Sequence, residues 1–188
     1  MTRMVYVLGG AACGKSTFTG QLLDRIGAEL GPQEVLHTRA NGAGLGVMLK
    51  GQPFEDGVYL GLMRDHHPGS DGLDRVAGWP GQIWIQLPGL PGRIVGEGTT
   101  LSTWPFLSAA AEAVDLMVVR LWDEEWITEL RANLRGSVKN PTYLQSTASR
   151  AANLATRLRK TGARVVEAQT SDPDQWSTAL GQAANHLS

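Results

Sequence analysis

Cysteine is all but missing from this chain. Cys13 stands alone among 188 residues, so no intrachain disulfide can form, and a reducing compartment such as the cytoplasm is expected. No apolar run nears the roughly 20 residues of a membrane span. The first such run, Met4–Leu8, already stops at Gly9, short of a secretory leader's core. Charge of neither sign dominates: 17 Lys+Arg against 18 Asp+Glu leave a formal net charge of -1. General basicity therefore does not advertise nucleic acid, although a local basic face is compatible with that sum. Internal repeats, low-complexity tails and linkers are also lacking, so residues 1–188 read as one domain, large enough to bury a substantial core. No membrane and no protein partner is expected.

Glycine, by contrast, is plentiful, at 23 residues with 9 prolines and 6 tryptophans, and implies many turns. Met4-Val5-Tyr6-Val7-Leu8 reads as a strand buried on both faces of a parallel sheet. After it, Phe18, Leu22, Leu23, Ile26 and Leu30 recur at helical spacing until Gly31-Pro32 ends the pattern. Residues 34–50 are ambiguous: "VLHTR" suits a strand, and Gly42–Gly46 reads as a mobile loop. Further strands are expected at 57–63, 93–96, 116–121 and 163–167. Helices are expected near Pro80 and over 106–114, 124–134, 145–160 and 173–186. The alternation predicts an α/β, three-layer fold with a mostly parallel sheet of about five strands.

Gly9-Gly10-Ala11-Ala12-Cys13-Gly14-Lys15-Ser16 fits G-x-x-x-x-G-K-[ST], the phosphate-binding loop, between a predicted strand and a predicted helix. Gly9 and Gly14 permit backbone angles that turn successive N–H groups inward as an anion nest. The helix that follows adds its positive end. Lys15 would reach the β- and γ-phosphates of a nucleoside triphosphate; Ser16 would offer its hydroxyl to Mg²⁺, with Thr17 beside it. ATP and Mg²⁺ are therefore the expected cofactors.

Phosphoryl transfer also needs a carboxylate for the metal and a group to orient the attacking oxygen. Glu97 ends the strand "RIVGE" at the sheet edge beside the loop, and competes with an ordinary turn glutamate. Asp115 precedes its strand and so falls on the opposite edge. In "RDHHPGSDGLD", Asp65 and Asp71 are both candidates to take a proton from a substrate hydroxyl, and Asp71, between Gly69 and Gly72, is preferred. Local turn hydrogen bonding explains either aspartate equally well. His66 and His67 make a poor metal set without cysteine partners. Arg131, Arg135, Lys139 and Arg150 surround a break at Gly136 and Pro141, where a helical lid over about 131–150 would bring cations to the transferring group. Solvated helix faces account for such arginines too. Trp122, Trp126 and Trp176 read as packing residues; Trp79, Trp84 and Trp104 flank the site loops, where stacking on a base competes with core or rim packing, and packing is preferred. The loop "AQTSDP" lies at the edge where a nucleobase would sit.

Taken together, "GGAACGKST", "PGSDGL", "IVGEGTTLS" and "RANLRGSVKNPTYL" resemble the P-loop kinases of the nucleoside and nucleotide kinase type. More narrowly they are similar to bacteriophage kinases, including those that phosphorylate 5-hydroxymethyluracil in DNA. The resemblance implies phosphate and Mg²⁺ contacts at Lys15 and Ser16, the metal-side acid at Glu97, a substrate or base residue at Asp71, and lid arginines at Arg131 and Arg135. It implies a nucleoside-like acceptor, DNA included, met as an unstacked base on a cationic track over Arg131–Arg159, in the cytoplasm of a phage's host. Gly98-Thr99-Thr100 departs from it, since the arginine that often follows such an acid is missing. A nucleotide or other small-molecule kinase, and a P-loop ATPase switch, are the alternatives.

Overall fold

The computed structural model describes residues 2–32, 34–40, 46–61, 63, 92–99, 101–134, 136 and 140–188, with backbone alone over 34–40 and 46–50. Several residues singled out above lie outside this set: Asp65, His66, His67, Asp71, Trp79, Trp84, Arg135 and Lys139, together with the helix expected near Pro80. In chain order the elements are β1 (Arg3–Gly9), α1 (Lys15–Arg25), β2 (Glu34–Ala40), β3 (Gly46–Phe54), β4 (Gly57–Leu60), β5 (Arg93–Glu97), α2 (Trp104–Ala113), β6 (Asp115–Trp122), α3 (Glu125–Leu134), α4 (Pro141–Lys160), β7 (Arg164–Gln169) and α5 (Pro173–Leu187).

The strands form one sheet in the order β2-β3-β4-β5-β1-β6-β7. β1 lies parallel between β5 and β6, β4 joins β5 in parallel, and β7 joins β6 in parallel. Only β3 runs the other way, antiparallel to both β2 and β4. The sheet is therefore mostly parallel, as expected, but it has seven strands rather than about five. The miscount falls on residues 34–54. Gly46, Gly51 and Pro53 hide β3 from a propensity reading, yet Pro53 lies beyond Gly51, where the β2 ladder ends, so no β2 hydrogen bond is lost. Gly46, expected in a loop, begins that strand.

β1 shows why the layers form. Met4, Tyr6 and Leu8 face one side of the sheet, against Phe106, Leu107 and Ala110 of α2 and Ala151, Leu154, Ala155 and Leu158 of α4. Val5 and Val7 face the other, against Phe18, Leu22 and Leu23 of α1 and Ala179, Leu180, Ala183 and Leu187 of α5. A strand apolar at every position fits only this helix–sheet–helix sandwich. Each fully buried large side chain here contributes about 1.5–3 kcal/mol, and the layers fix the strand ends at one edge.

Helix α4 starts at Pro141, one turn before the expected Gln145. The Asn140 side chain accepts from Thr142 N–H at 2.9 Å as N-cap, and Pro141 sits in the first turn. Trp126 corrects the packing expectation: it is 61% exposed, its indole N–H donating to Glu124. Among the described residues no helix is long and apolar enough to cross a membrane.

Candidate active site

β1 ends at Gly9 and α1 begins at Lys15, so the glycine loop spans the junction at the C-terminal edge of the central strand. Gly14 takes φ 86°, as its position demands, but the second left-handed residue is Ala12, at φ 61°. Gly9 is required for space rather than for its torsion: a Cβ there would meet Cys13 Sγ at 2.4 Å and Leu121 O at 2.8 Å. Gly10 is pressed against α4, where a Cβ would lie 3.1 Å from Ala148 Cα. The N-cap of α1, Gly14, offers no side-chain cap, and the first turn carries no acidic residue. The positive end of α1 is thus left to an anion. Burial pushes the Cys13 thiol up, against the opposing effect of the Lys15 charge, so the buried thiol stays protonated at neutral pH.

Three of the expected residues meet here. Lys15 Nζ donates to Gly9 O at 3.1 Å and Gly10 O at 2.6 Å, arching over the loop. Ser16 Oγ donates to Glu97 Oε2 at 3.3 Å, and Tyr59 Oη donates to Glu97 Oε1 at 3.3 Å. Glu97 is only 2% exposed, which argues against an ordinary turn glutamate. Its parallel register opposite Val7 brings the carboxylate to the loop. The following turn is braced from below: Tyr6 Oη and Ser102 Oγ both donate to Gly98 O, at 2.7 and 2.6 Å. A hydroxyl and a buried carboxylate facing the same point are an oxygen donor set suited to Mg²⁺, and the open nest with its lysine suits a triphosphate. Asp115, as expected, opens β6 at the opposite edge.

Arg131 comes to this edge from α3. Its guanidinium donates to Thr170 Oγ1 at 2.6 Å and pairs with Asp123 at 3.1 Å. With Gly14, Thr17, Ser171, Pro173 and Trp176 it lines a cavity of about 550 Å³. Trp176 packs edge-on to Phe18, with its indole N–H on Gln21. The loop "AQTSDP" thus forms one wall of this cavity. Asp123 was missed by the sequence reading, although it follows a strand at the productive edge just as Glu97 does. Its shielded carboxylate accepts from Thr170, Ser171 and the Glu124 N–H, at 2.6, 2.8 and 3.0 Å.

Burial pushes the Asp123 carboxyl up. The hydrogen bonds from Thr170, Ser171 and Glu124, with the Arg131 charge, outweigh that and hold it below its ordinary 3.8. Stability from this group is therefore present above about pH 4 and lost as pH falls through the lower folded-state value. Asp123→Asn is expected to melt lower than wild type at pH 7 and to show a flatter pH dependence below pH 4. Identical melting profiles across that range would separate the carboxylate from the wall's stability.

Of the described arginines beyond Arg131, Arg157 and Arg159 are engaged by other side chains. Arg157 lies over the Trp104 ring at 3.9 Å, and Arg159 pairs with Glu167 at 2.8 Å. Glu167 also holds Arg120 at 2.9 Å.

The fold is shared with solved kinases. The chain is similar in fold to a gluconokinase from Sinorhizobium meliloti 1021, with TM-score 0.55, 14% identity, and coverage of 98% of this chain and 90% of that one. A sugar kinase from Janibacter sp. HTCC2649 gives TM-score 0.52 at 15% identity, covering 100% and 95%. Shikimate kinase from Acinetobacter baumannii gives 0.50 at 13%, covering 100% and 94%. No protein-family model matches the chain, and no curated relative matches it.

Proposed function

We propose that this protein is an ATP- and Mg²⁺-dependent kinase that phosphorylates a hydroxyl of a small molecule. One observation carries the reading: Ser16 and the buried Glu97 face each other at 3.3 Å beside Lys15 and an open phosphate nest. ATP, when bound, supplies the γ-phosphoryl group: the acceptor oxygen bonds to phosphorus as the bond to the β–γ bridging oxygen breaks and ADP departs. The chain's own part is positioning and charge. Backbone N–H groups of Gly9–Thr17, apart from that of Ala11, which donates to Thr147, cradle the phosphates, and Lys15 places its ammonium against the β- and γ-phosphates. Ser16 and Glu97 hold the metal. Tyr59 fixes the Glu97 carboxylate in place. Arg131, Thr170, Ser171 and Trp176 receive the nucleobase end in their cavity. The hydroxyl proton passes to a carboxylate, for which Asp71 is the sequence-based choice and Asp65 the other. The whole chain, 1–188, acts as one kinase domain, with Arg131 and Arg135 on a lid segment that ends before α4, whose first turns over 141–150 pack against the phosphate loop.

A small acceptor is favoured over DNA because three arginines of the would-be track, Arg131, Arg157 and Arg159, are engaged with Asp123, Trp104 and Glu167. The fold neighbours, named for gluconate, sugar and shikimate, point the same way. A nucleoside-like acceptor is the finer alternative, with 5-hydroxymethyluracil in DNA resting on the sequence resemblance alone. The test is γ-labelled ATP and Mg²⁺ offered to sugars and sugar acids, to nucleosides and their monophosphates, and to DNA with and without 5-hydroxymethyluracil. Label on a small acceptor is the expected result. Label confined to modified DNA would overturn the small-molecule reading, and label released only to water would point to an ATPase switch.

A further inference from the structure

On the face of the sheet covered by α4, the phosphate loop is backed by a cavity of about 180 Å³ that none of the chemistry above uses. Gly10, Ala11 and Cys13 of the loop form one wall. The end of β6 supplies Arg120 and Trp122, which alternate with Val118 and so face the same side. Leu144 and Ala148 of α4 lie across from them, and the exposed Glu125 and Ser149 stand at the mouth. The Arg131 cavity shares none of these residues.

Size and lining narrow what this cavity can hold. A cavity of about 150 Å³ takes one six-membered ring, so this one is too small for a nucleotide and matches a single ring with one substituent. Leu144, Ala148 and the neutral, buried thiol of Cys13 give it an apolar wall, and Trp122 gives it an aromatic one. Arg120 adds a demand. Its Nη1 donates to Glu167 at 2.9 Å, whereas its buried Nε–H has no partner among the described residues. A buried donor without an acceptor is costly, so the best-fitting ligand brings one. Charge of either sign is disfavoured. A cation would meet Arg120, and an anion would meet Glu125 while Arg120 already has its counter-charge in Glu167.

The cavity's position gives it a consequence. Its loop wall is formed by the nest shape itself, with Ala12 at φ 61°, Gly14 at φ 86° and Cys13 wedged against Gly9. Nucleotide phosphates call for the same shape. Two ligands that select one conformation raise each other's affinity by an equal factor. We propose that this cavity binds a neutral single-ring compound bearing a carbonyl acceptor, and that its occupant strengthens nucleotide binding by holding the phosphate loop in shape. The coupling rests on the nucleotide reading above; the site does not.

Benzamide is the probe, with toluene to lack the acceptor and benzoate to carry charge. Binding is followed by ligand-observed NMR titration, with and without a saturating non-hydrolysable ATP analogue and Mg²⁺. Benzamide is expected to bind in the millimolar range or tighter, and toluene and benzoate each about 5-fold more weakly or worse. Arg120→Met is expected to weaken benzamide about 10-fold and to leave toluene within about twofold. Ser149→Leu, at an exposed helix position where leucine is well tolerated, is expected to fill the mouth and abolish benzamide binding. Unchanged far-UV circular dichroism shows that both variants fold. With the analogue bound, benzamide affinity should rise about 5-fold, and benzamide should raise the analogue's affinity by the same factor. Any of four results overturns the inference: no benzamide binding, benzamide binding undiminished in Ser149→Leu or Arg120→Met, toluene or benzoate binding as tightly, or benzamide affinity unmoved or lowered by the analogue. Benzamide binding by a protein that takes up no analogue would keep the site and overturn the nucleotide reading instead.

Discussion

Lys15→Ala is expected to reduce phosphotransfer by about 10³-fold, the upper range for removing one preorganised cationic donor from a charged transition state. The fold should survive. Lys15 Nζ makes two side chain–backbone bonds, to Gly9 O and Gly10 O, each charge-assisted and worth about 1.5–3 kcal/mol net. The loop's shape depends instead on Gly9, Gly14 and the wedge of Cys13. A melting shift of a few degrees with circular dichroism unchanged, beside a near-complete loss of kcat, is the expected pattern. Comparable transfer by the variant would take Lys15 out of the chemistry and leave the glycine loop as a structural turn.

Glu97→Gln is expected to cost about 10²-fold or more in kcat and to raise the Mg²⁺ concentration needed for half-maximal rate. The substitution is nearly isosteric, and the amide oxygen can still accept from Tyr59, so the side chain keeps its place and loses its charge. Ser16→Ala should move the Mg²⁺ requirement in the same direction. Because both residues face one point, the double variant should lose much less than the product of the two single losses. A Mg²⁺ titration of all four proteins reads this directly. Strict multiplicativity would mean that the two groups serve different ends, and an unaltered Mg²⁺ requirement in Glu97→Gln would deny it the metal.

The central part of the architecture was legible because it rests on patterns that single residues cannot disguise. Met4–Leu8 is apolar without alternation, which admits only burial on both faces, and Gly9–Ser16 follows it where a strand gives way to a helix. Glu97 could be found because a carboxylate just after a short buried strand must emerge at the same edge. The same logic applied to Asp123, but "WDEEW" reads first as the start of an acidic helix, and nothing local announces that Thr170 and Ser171 will cross from β7 to bond it. Thr147 was invisible for a related reason: its partner, Ala11, is 136 residues away in sequence. β3 was obscured by its own glycines and proline, whose cost is offset by pairing with β2 over Gly46–Gly51 and with β4 over Gly51–Phe54. Side-chain networks between distant strand ends are tertiary facts, and one-dimensional spacing does not encode them.

The measurement closest to the central claim is a phosphorus balance. ATP and Mg²⁺ are incubated with the protein and the acceptor panel, and ³¹P NMR follows the γ resonance. The account predicts that each ADP formed is matched by one new phosphomonoester on an organic hydroxyl, with Lys15→Ala silent. ADP matched instead by inorganic phosphate, whatever the acceptor, would contradict it.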